Sequence, residues 1–587
     1  MLTRRQLLIA SAGAGAGLVV PTMLKRTRTH AQVPQVISPQ IPKFTEPLPT
    51  PFAGPPPSTL TIAPGSHSFH SSLGEGPTWG YGGADYLGPT FDVERGTPLR
   101  LTAVNNLGTH PLADSIDTRL HGVQESDKTS PRVSIHLHGS NTEPKSDGYP
   151  TDTFTPGQTY DYNFNNNQEA ATLWYHDHAL GITGQNVMVG LAGVYLLRDI
   201  DDPIGGNGPL GIPAGAPYEI PLVLQDRILK ADGLIYHPAM WEPEFLGDVA
   251  TVNGKAWPNL DVERTVYRFR IVNGSSARTY NLKLVSNPQI PIIQIGTDGG
   301  FLNAPVQLTK LLLSPGERAD VLIDFSNRLP GEKIVLQNEA VSPFPFGRSN
   351  LFLNYPKLPE IMQFTVKASA ANPKPIPQTL RLHKPVIEPI ATPPVRQRFL
   401  TLVEVMNPPG GPPGPAAVLL NFVYWDEAEN YPDLMERPKV DTVEQWNIIN
   451  LQPVAHPMHL HLVLFQILNR QKIDTAQYTK AYLATGSRTV RTHHEPLGGP
   501  TVPANYPPPD PTPFLIGSAR PPAPNERGWK DTVLVNPGEV TRLIVPFGAQ
   551  AAPNLPFGNS FTGRYVWHCH MIEHEDNEMM LPFEVVP

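Results

Sequence analysis

The chain has 587 residues and a formal net charge of −8, and its body contains no apolar run of about 18 residues; neither a basic nucleic-acid surface nor a spanning helix organises it. A chain of this length divides into about three or four domains, and its 69 prolines and 48 glycines interrupt long helices. An all-β protein of several domains is expected.

The N-terminus, MLTRRQLLIASAGAGAGLVVPT, sets Arg4 and Arg5 ahead of a mildly apolar Ala/Gly stretch. It resembles a twin-arginine export signal spanning 1–31, with THA at 29–31 as a weak cleavage site. The expectation is a periplasmic or extracellular protein with no stable membrane insertion after export. A proline-rich leader covers 32–58.

Three segments then repeat a Pro-Gly turn followed by alternating apolar residues: FTPGQTYDYNF at 154–164, LSPGERADVLIDF at 313–325 and VNPGEVTRLIVPF at 535–547. Each reads as a turn entering a strand. Proline-rich stretches at 198–218 and 368–397 separate them, so the parse is three β-sandwich domains at 59–200, 215–370 and 395–587 joined by linkers.

Ten of the nineteen histidines fall in four clusters: HLHG at 136–139, WYHDH at 174–178, HPMHLH at 456–461 and WHCHMIEH at 567–574. The first and third domains hold two clusters each and the middle one none. Residues i and i+2 of a strand share a face, so each H-x-H presents two imidazoles toward one metal cluster. LWYHDH and YVWHCH align with Asp177 at the position of Cys569, which suggests a duplication in which only the last copy keeps the thiol. His67, His70, His110, His121, His237, His383, His493 and His494 lie outside the clusters and are expected to be structural or surface residues.

Cys569 is the only cysteine, so no intrachain disulfide forms and the thiol is kept for reactivity or metal. Thiolate, imidazole and a weak thioether together favour copper, and a Cys with two His and a distant Met is the blue-copper pattern. Cys569, His574 and Met579 supply three of these ligands, with His456 the most plausible fourth. A closed zinc tetrahedron would leave eight histidines unused.

The four motifs in this order, with SDGYP at 146–150, VNGKAWP at 252–258, YRFRIVN at 267–273 and GWKDT at 528–532, resemble the multicopper oxidases, in particular the bacterial spore-coat laccase and bilirubin oxidase branch. The resemblance covers about 50–587 and implies three cupredoxin-like Greek-key domains with four copper ions. It assigns His456, Cys569, His574 and Met579 to a type 1 copper. It gives His136 and His459 to a type 2 copper, and His138, His176, His178, His461, His568 and His570 to a binuclear type 3 pair. In a strand, Cys569 would face the type 1 copper while His568 and His570 face the other way. Asp147 and Glu575 match the acids that deliver protons in the family, or else only orient histidines.

The implied activity is one-electron oxidation of phenols, aromatic amines or bilirubin-like donors coupled to four-electron reduction of O2 to water. The alternative is a cuprous or ferrous oxidase of metal homeostasis. A monomer is the default. Loops over the type 1 copper would set the reducing substrate, and the most individual candidate is 483–527, a proline-stiffened segment whose position the sequence leaves open and whose Tyr506, Phe514 and Leu515 offer apolar surface suited to an aromatic donor.

Overall fold

The computed structural model describes residues 36–50, 53–206, 208–347, 355–372, 375–406, 415–489, 501–503 and 506–587. The export signal expected at 1–31, together with His493 and His494, lies outside them.

All three Pro-Gly turns open strands as expected: Thr159–Phe164, Arg318–Asp324 and Glu539–Pro546 follow them directly. Gly157, Gly316 and Gly538 sit at φ of +87°, +82° and +66°, the left-handed region that glycine enters without a Cβ clash. Each strand belongs to a two-sheet unit. In the first, a five-stranded sheet ordered Ala53–Gly54, Thr90–Glu94, Ala192–Arg198, Ala171–Asp177, Ile135–His138 shares a core with the four-stranded sheet Gly76–Tyr81, Thr59–His67, Leu99–Asn105, Thr159–Phe164. The middle unit combines an eight-stranded and a five-stranded sheet, and the third a six-stranded and a four-stranded sheet. Among the described residues the helices are short, the longest being Thr475–Leu483, as the proline and glycine content requires.

The proline-rich connectors are docked rather than free. In the leader, the Phe44 and Leu48 amides donate to the Trp257 and Asn259 carbonyls at 2.8 Å, laying the segment on the middle unit. In the first linker, Asp202 joins a buried knot with Arg198, Arg268, Arg270, Glu219 and Asp320. In the second, Arg381 grips Glu169 of the first unit with two 2.7 Å hydrogen bonds. Guanidinium forks matched to carboxylates hold the units in fixed relation.

The described part of 483–527 packs the apolar side chains expected to offer surface. Leu515–Arg520 adds an edge strand to the six-stranded sheet beside Gln466–Ile473, and Ser487–Thr489 pairs with Thr501–Pro503. Phe514 meets Tyr478 edge-on at 5.5 Å, Leu515 packs on the same small core, and the Tyr506 hydroxyl donates to Glu436. These apolar side chains are spent on packing, because burial stabilises them more than exposure on a loop would.

The histidine motifs occupy two strand pairs. Ile135–His138 runs antiparallel to Ala171–Asp177 with His136 opposite His176. His456–Leu460 runs antiparallel to Gly563–Cys569 with His459 opposite His568 and Met458 opposite Cys569. The first pair comes from the first unit and the second from the third, and their imidazoles meet at the interface.

Candidate metal centre

Two groups of metal-ligand side chains form, both fully buried: the larger at this interface and the smaller within the third unit. In the smaller, Cys569 Sγ lies 3.5 Å from His456 Nδ1 and 3.7 Å from His574 Nδ1, and the two imidazole nitrogens are 3.2 Å apart. Met579 is buried beside them; its carbonyl accepts from the Cys569 amide and its amide donates to the His574 carbonyl. The strand Gly563–Cys569 ends at the thiol, and the helix Ile572–Asp576 returns His574 to it.

The larger group brings together the other eight histidines. His138, His176 and His570 form one triad and His178, His461 and His568 another. His136 Nε2 and His459 Nε2 face each other at 3.4 Å. His568 Nε2 lies 3.3 Å from His178 Nε2 and 3.2 Å from His461 Nε2. The tripeptide around Cys569 therefore works as its alternation predicts: the thiol faces the smaller group, and each flanking histidine enters a different triad.

Most outer nitrogens of the larger group face protein acceptors. His136 Nδ1 reaches the Asp147 carbonyl at 2.6 Å, His461 Nδ1 the Asp147 carboxylate at 2.7 Å, and His176 Nδ1 the Asp177 carbonyl at 2.8 Å. Glu575 spans His568 Nδ1 at 3.1 Å and His178 Nδ1 at 3.6 Å. His459 Nδ1 reaches the Asp531 carbonyl at 2.9 Å. His138 is inverted: its Nε2 faces Asp531 Oδ1 and Thr532 Oγ1, each at 3.1 Å, while its Nδ1 has no partner. Asp147 and Glu575, singled out from the motifs, thus touch the imidazoles. Asp531 was missed as a site residue; GWKDT entered only as part of the resemblance.

Burial holds His136, His138, His456, His461, His568 and His570 well below the usual imidazole range, and His176, His178 and His574 down to about 3. Neutral imidazoles offer lone pairs to a cation. Buried imidazole nitrogens without hydrogen-bond partners occur in both groups: His138 Nδ1, His176 Nε2 and both of His570 in one triad, His178 Nδ1 in the other, and His456 Nε2 beside the thiol, a donor set suited to metal rather than to mutual hydrogen bonds. Burial also raises the Cys569 thiol well above its usual range, and a soft cation is what would hold it as thiolate.

Of the unclustered histidines, the six described are held elsewhere in the fold: His110 by Asn186 and the Leu112 amide, His121 by Asp426 and Glu578, His383 by Asp201, and His67, His70 and His237 by backbone carbonyls. None enters a metal-ligand group.

The surroundings of the smaller group were also missed from sequence. They come from the middle unit: the Pro243 carbonyl accepts from the His574 ring, Trp241 Nε1 donates to the Glu573 carbonyl at 2.7 Å, and the Phe344 carbonyl accepts from the Ala455 amide.

Multicopper oxidase family models match residues 123–202, 240–345 and 420–587. A laccase of Bacillus subtilis (strain 168) is 35% identical over 556 residues, covering 90% of this chain and 93% of the relative. The multicopper oxidase LPR1 of Arabidopsis thaliana is 31% identical, with 88% and 86% covered. The crystal structure of McoA, a multicopper oxidase of Aquifex aeolicus, superposes with a TM-score of 0.67 at 25% identity, over 93% of this chain and 100% of that one. With its strand-borne histidine motifs and buried thiol, the chain belongs to the multicopper oxidase family, with copper as its cofactor and a laccase-like oxidase activity that uses O2.

Proposed function

We propose that the chain holds four coppers and couples oxidation of phenols, aromatic amines or bilirubin-like donors to reduction of O2 to water. His456, Cys569, His574 and Met579 would hold the type 1 ion and His136 and His459 the type 2 ion. The triads His138/His176/His570 and His178/His461/His568 would hold the type 3 pair. Bound copper supplies one-electron acceptance at the thiolate and a four-electron reservoir for O2. The observation that carries this reading is the Cys569 tripeptide, whose thiol and two flanking imidazoles reach three ligand groups from consecutive residues.

The protein's own residues orient and supply protons. Asp147 and Glu575 are buried, both raised above the usual carboxylate range by burial, and each contacts imidazoles of the larger group. They are the proposed proton donors toward O2. Export by a twin-arginine route to the periplasm or beyond, and a monomeric state, complete the proposal. The test is oxygen uptake by copper-loaded protein with a phenol, bilirubin and Cu(I); a higher kcat/KM for the organic donors is expected, and a clear preference for Cu(I) would overturn it.

One observation favours a metal-ion donor as a second reading. A cleft next to His574 is lined by Asp117, Glu242, Glu573 and Asp576; Arg119 forks Asp117 and the Thr183 and Gly184 amides donate to Asp576, which leaves Glu242 and Glu573 as its open carboxylates. Both carboxylate oxygens of the buried Glu573 lack a hydrogen-bond partner. Such oxygen donors suit Fe(II) over Cu(I). If this reading holds, Glu573→Gln lowers kcat/KM for Fe(II) relative to that for an aromatic amine; an unchanged ratio removes it.

A further inference from the structure

The middle unit has none of the clustered histidines, yet its Pro-Gly turn, Ser314 to Arg318, reaches the larger imidazole group. At Gly316 a Cβ would come within 2.7 Å of the His570 ring, so the bare backbone lies against a ring whose nitrogens have no hydrogen bond to fix its tilt. Two residues on, the fully buried Arg318 clamps Asp531, with Nη1 donating to Oδ1 at 2.7 Å and Nη2 to Oδ2 at 2.5 Å. Its remaining donors go to the Thr172 carbonyl of the first unit at 2.9 Å, the Gly316 carbonyl at 3.1 Å and the Asp298 carbonyl at 3.2 Å. Gly139, directly after the HLH motif, packs so tightly on the pair that a Cβ would meet Arg318 Nη2 at 2.5 Å and Asp531 Oδ2 at 2.7 Å.

Asp531 carries this clamp to the imidazoles. Its Oδ1 faces His138 Nε2 and its carbonyl accepts from His459 Nδ1. A bidentate guanidinium fixes the plane of a carboxylate. A carboxylate held against Nε2 keeps the proton there, which leaves the Nδ1 lone pair of His138 aimed at His176 and His570.

We propose that the turn 314–318 of the ligand-free middle unit is the positioning element of the trinuclear group: through Arg318 and Asp531 it sets the ring orientation of His138 and His459, and through Gly316 it supports His570. The middle repeat thereby acts on the oxygen-reducing site without supplying a ligand. This rests on the trinuclear reading above.

The test compares full-length Arg318→Lys and Asp531→Asn with wild type after copper loading, by copper per chain, type 1 absorption and the type 2 electron paramagnetic resonance (EPR) signal. Loss of an outer partner of a metal-bound histidine weakens affinity roughly 10–100-fold. We expect a loss of that size confined to the trinuclear ions, with an altered type 2 signal and an unchanged type 1 band. Arg268→Lys removes an equally buried guanidinium that binds Asp202 and Asp320 instead, and it should leave all three readouts at wild-type values. If Asp531→Asn does not fold, the charge-preserving Arg318→Lys decides. Wild-type copper content and type 2 signal in Arg318→Lys, or type 1 and trinuclear signals falling in parallel, overturns the proposal. A wild type that binds a single copper would instead sink the trinuclear reading itself.

Discussion

The strands Ala171–Asp177 and Gly563–Cys569 are counterparts in the first and third units, and they differ most at one position. Each places alternate histidines toward the interface, and between those histidines stands Asp177 in one and Cys569 in the other. Asp177 is satisfied by the protein: its carboxylate accepts from the Ser134 and Ala179 amides and from Asn186 Nδ2 at 2.9–3.0 Å. Cys569 receives one weak contact, from the Met571 amide at 3.4 Å, and otherwise faces two imidazoles and apolar core. One scaffold thus supports two outcomes: a side chain that closes its own hydrogen bonds is structural, and one that leaves them open is set for a metal.

Breaking the open member should have the largest effect. Cys569→Ser keeps the shape of the side chain but removes the soft ligand and the bridge to His568 and His570. Blue absorption and organic-donor oxidation should fall below detection, and elemental analysis should find about one copper in four missing, with the fold retained. A blue, active variant would refute the assignment. Met579→Leu should act more mildly. Losing a weak axial thioether raises the potential of the type 1 site and leaves its colour, as redox titration can read; an unchanged or lowered potential would pass the axial role to Met580, also buried and next in sequence. The closed member should give the smallest effect on function. Asp177→Asn replaces one acceptor oxygen with a donor facing N–H groups, costing about 1–3 kcal/mol of stability in a denaturant titration with the blue band unchanged. Loss of the band would show that Asp177 reaches beyond packing.

What was legible in the sequence follows from range. The alternation of H-x-H and H-C-H is local, so two-residue periodicity was enough to assign each imidazole a side, and the Pro-Gly turns announced their strands for the same reason. Asp531 stands 393 residues from His138 and 213 from Arg318, and no local pattern marks a carboxylate whose partners come from two other units. In the loop 483–527 the composition of Phe514 and Leu515 matched a docking surface, and only packing shows these two committed to the core around Tyr478. Described neighbours of His574 include 241–244 of the middle unit, which the sequence marks by nothing more than an acidic, aromatic stretch.

The central claim is that a single open thiol sits beside a three-metal imidazole group. Copper per chain measured with the integrated EPR signal tests it most directly, because two strongly coupled Cu(II) ions are silent while type 1 and type 2 ions are visible. The account predicts four coppers per chain with half of them visible. One copper per chain, or four coppers all visible, would contradict it.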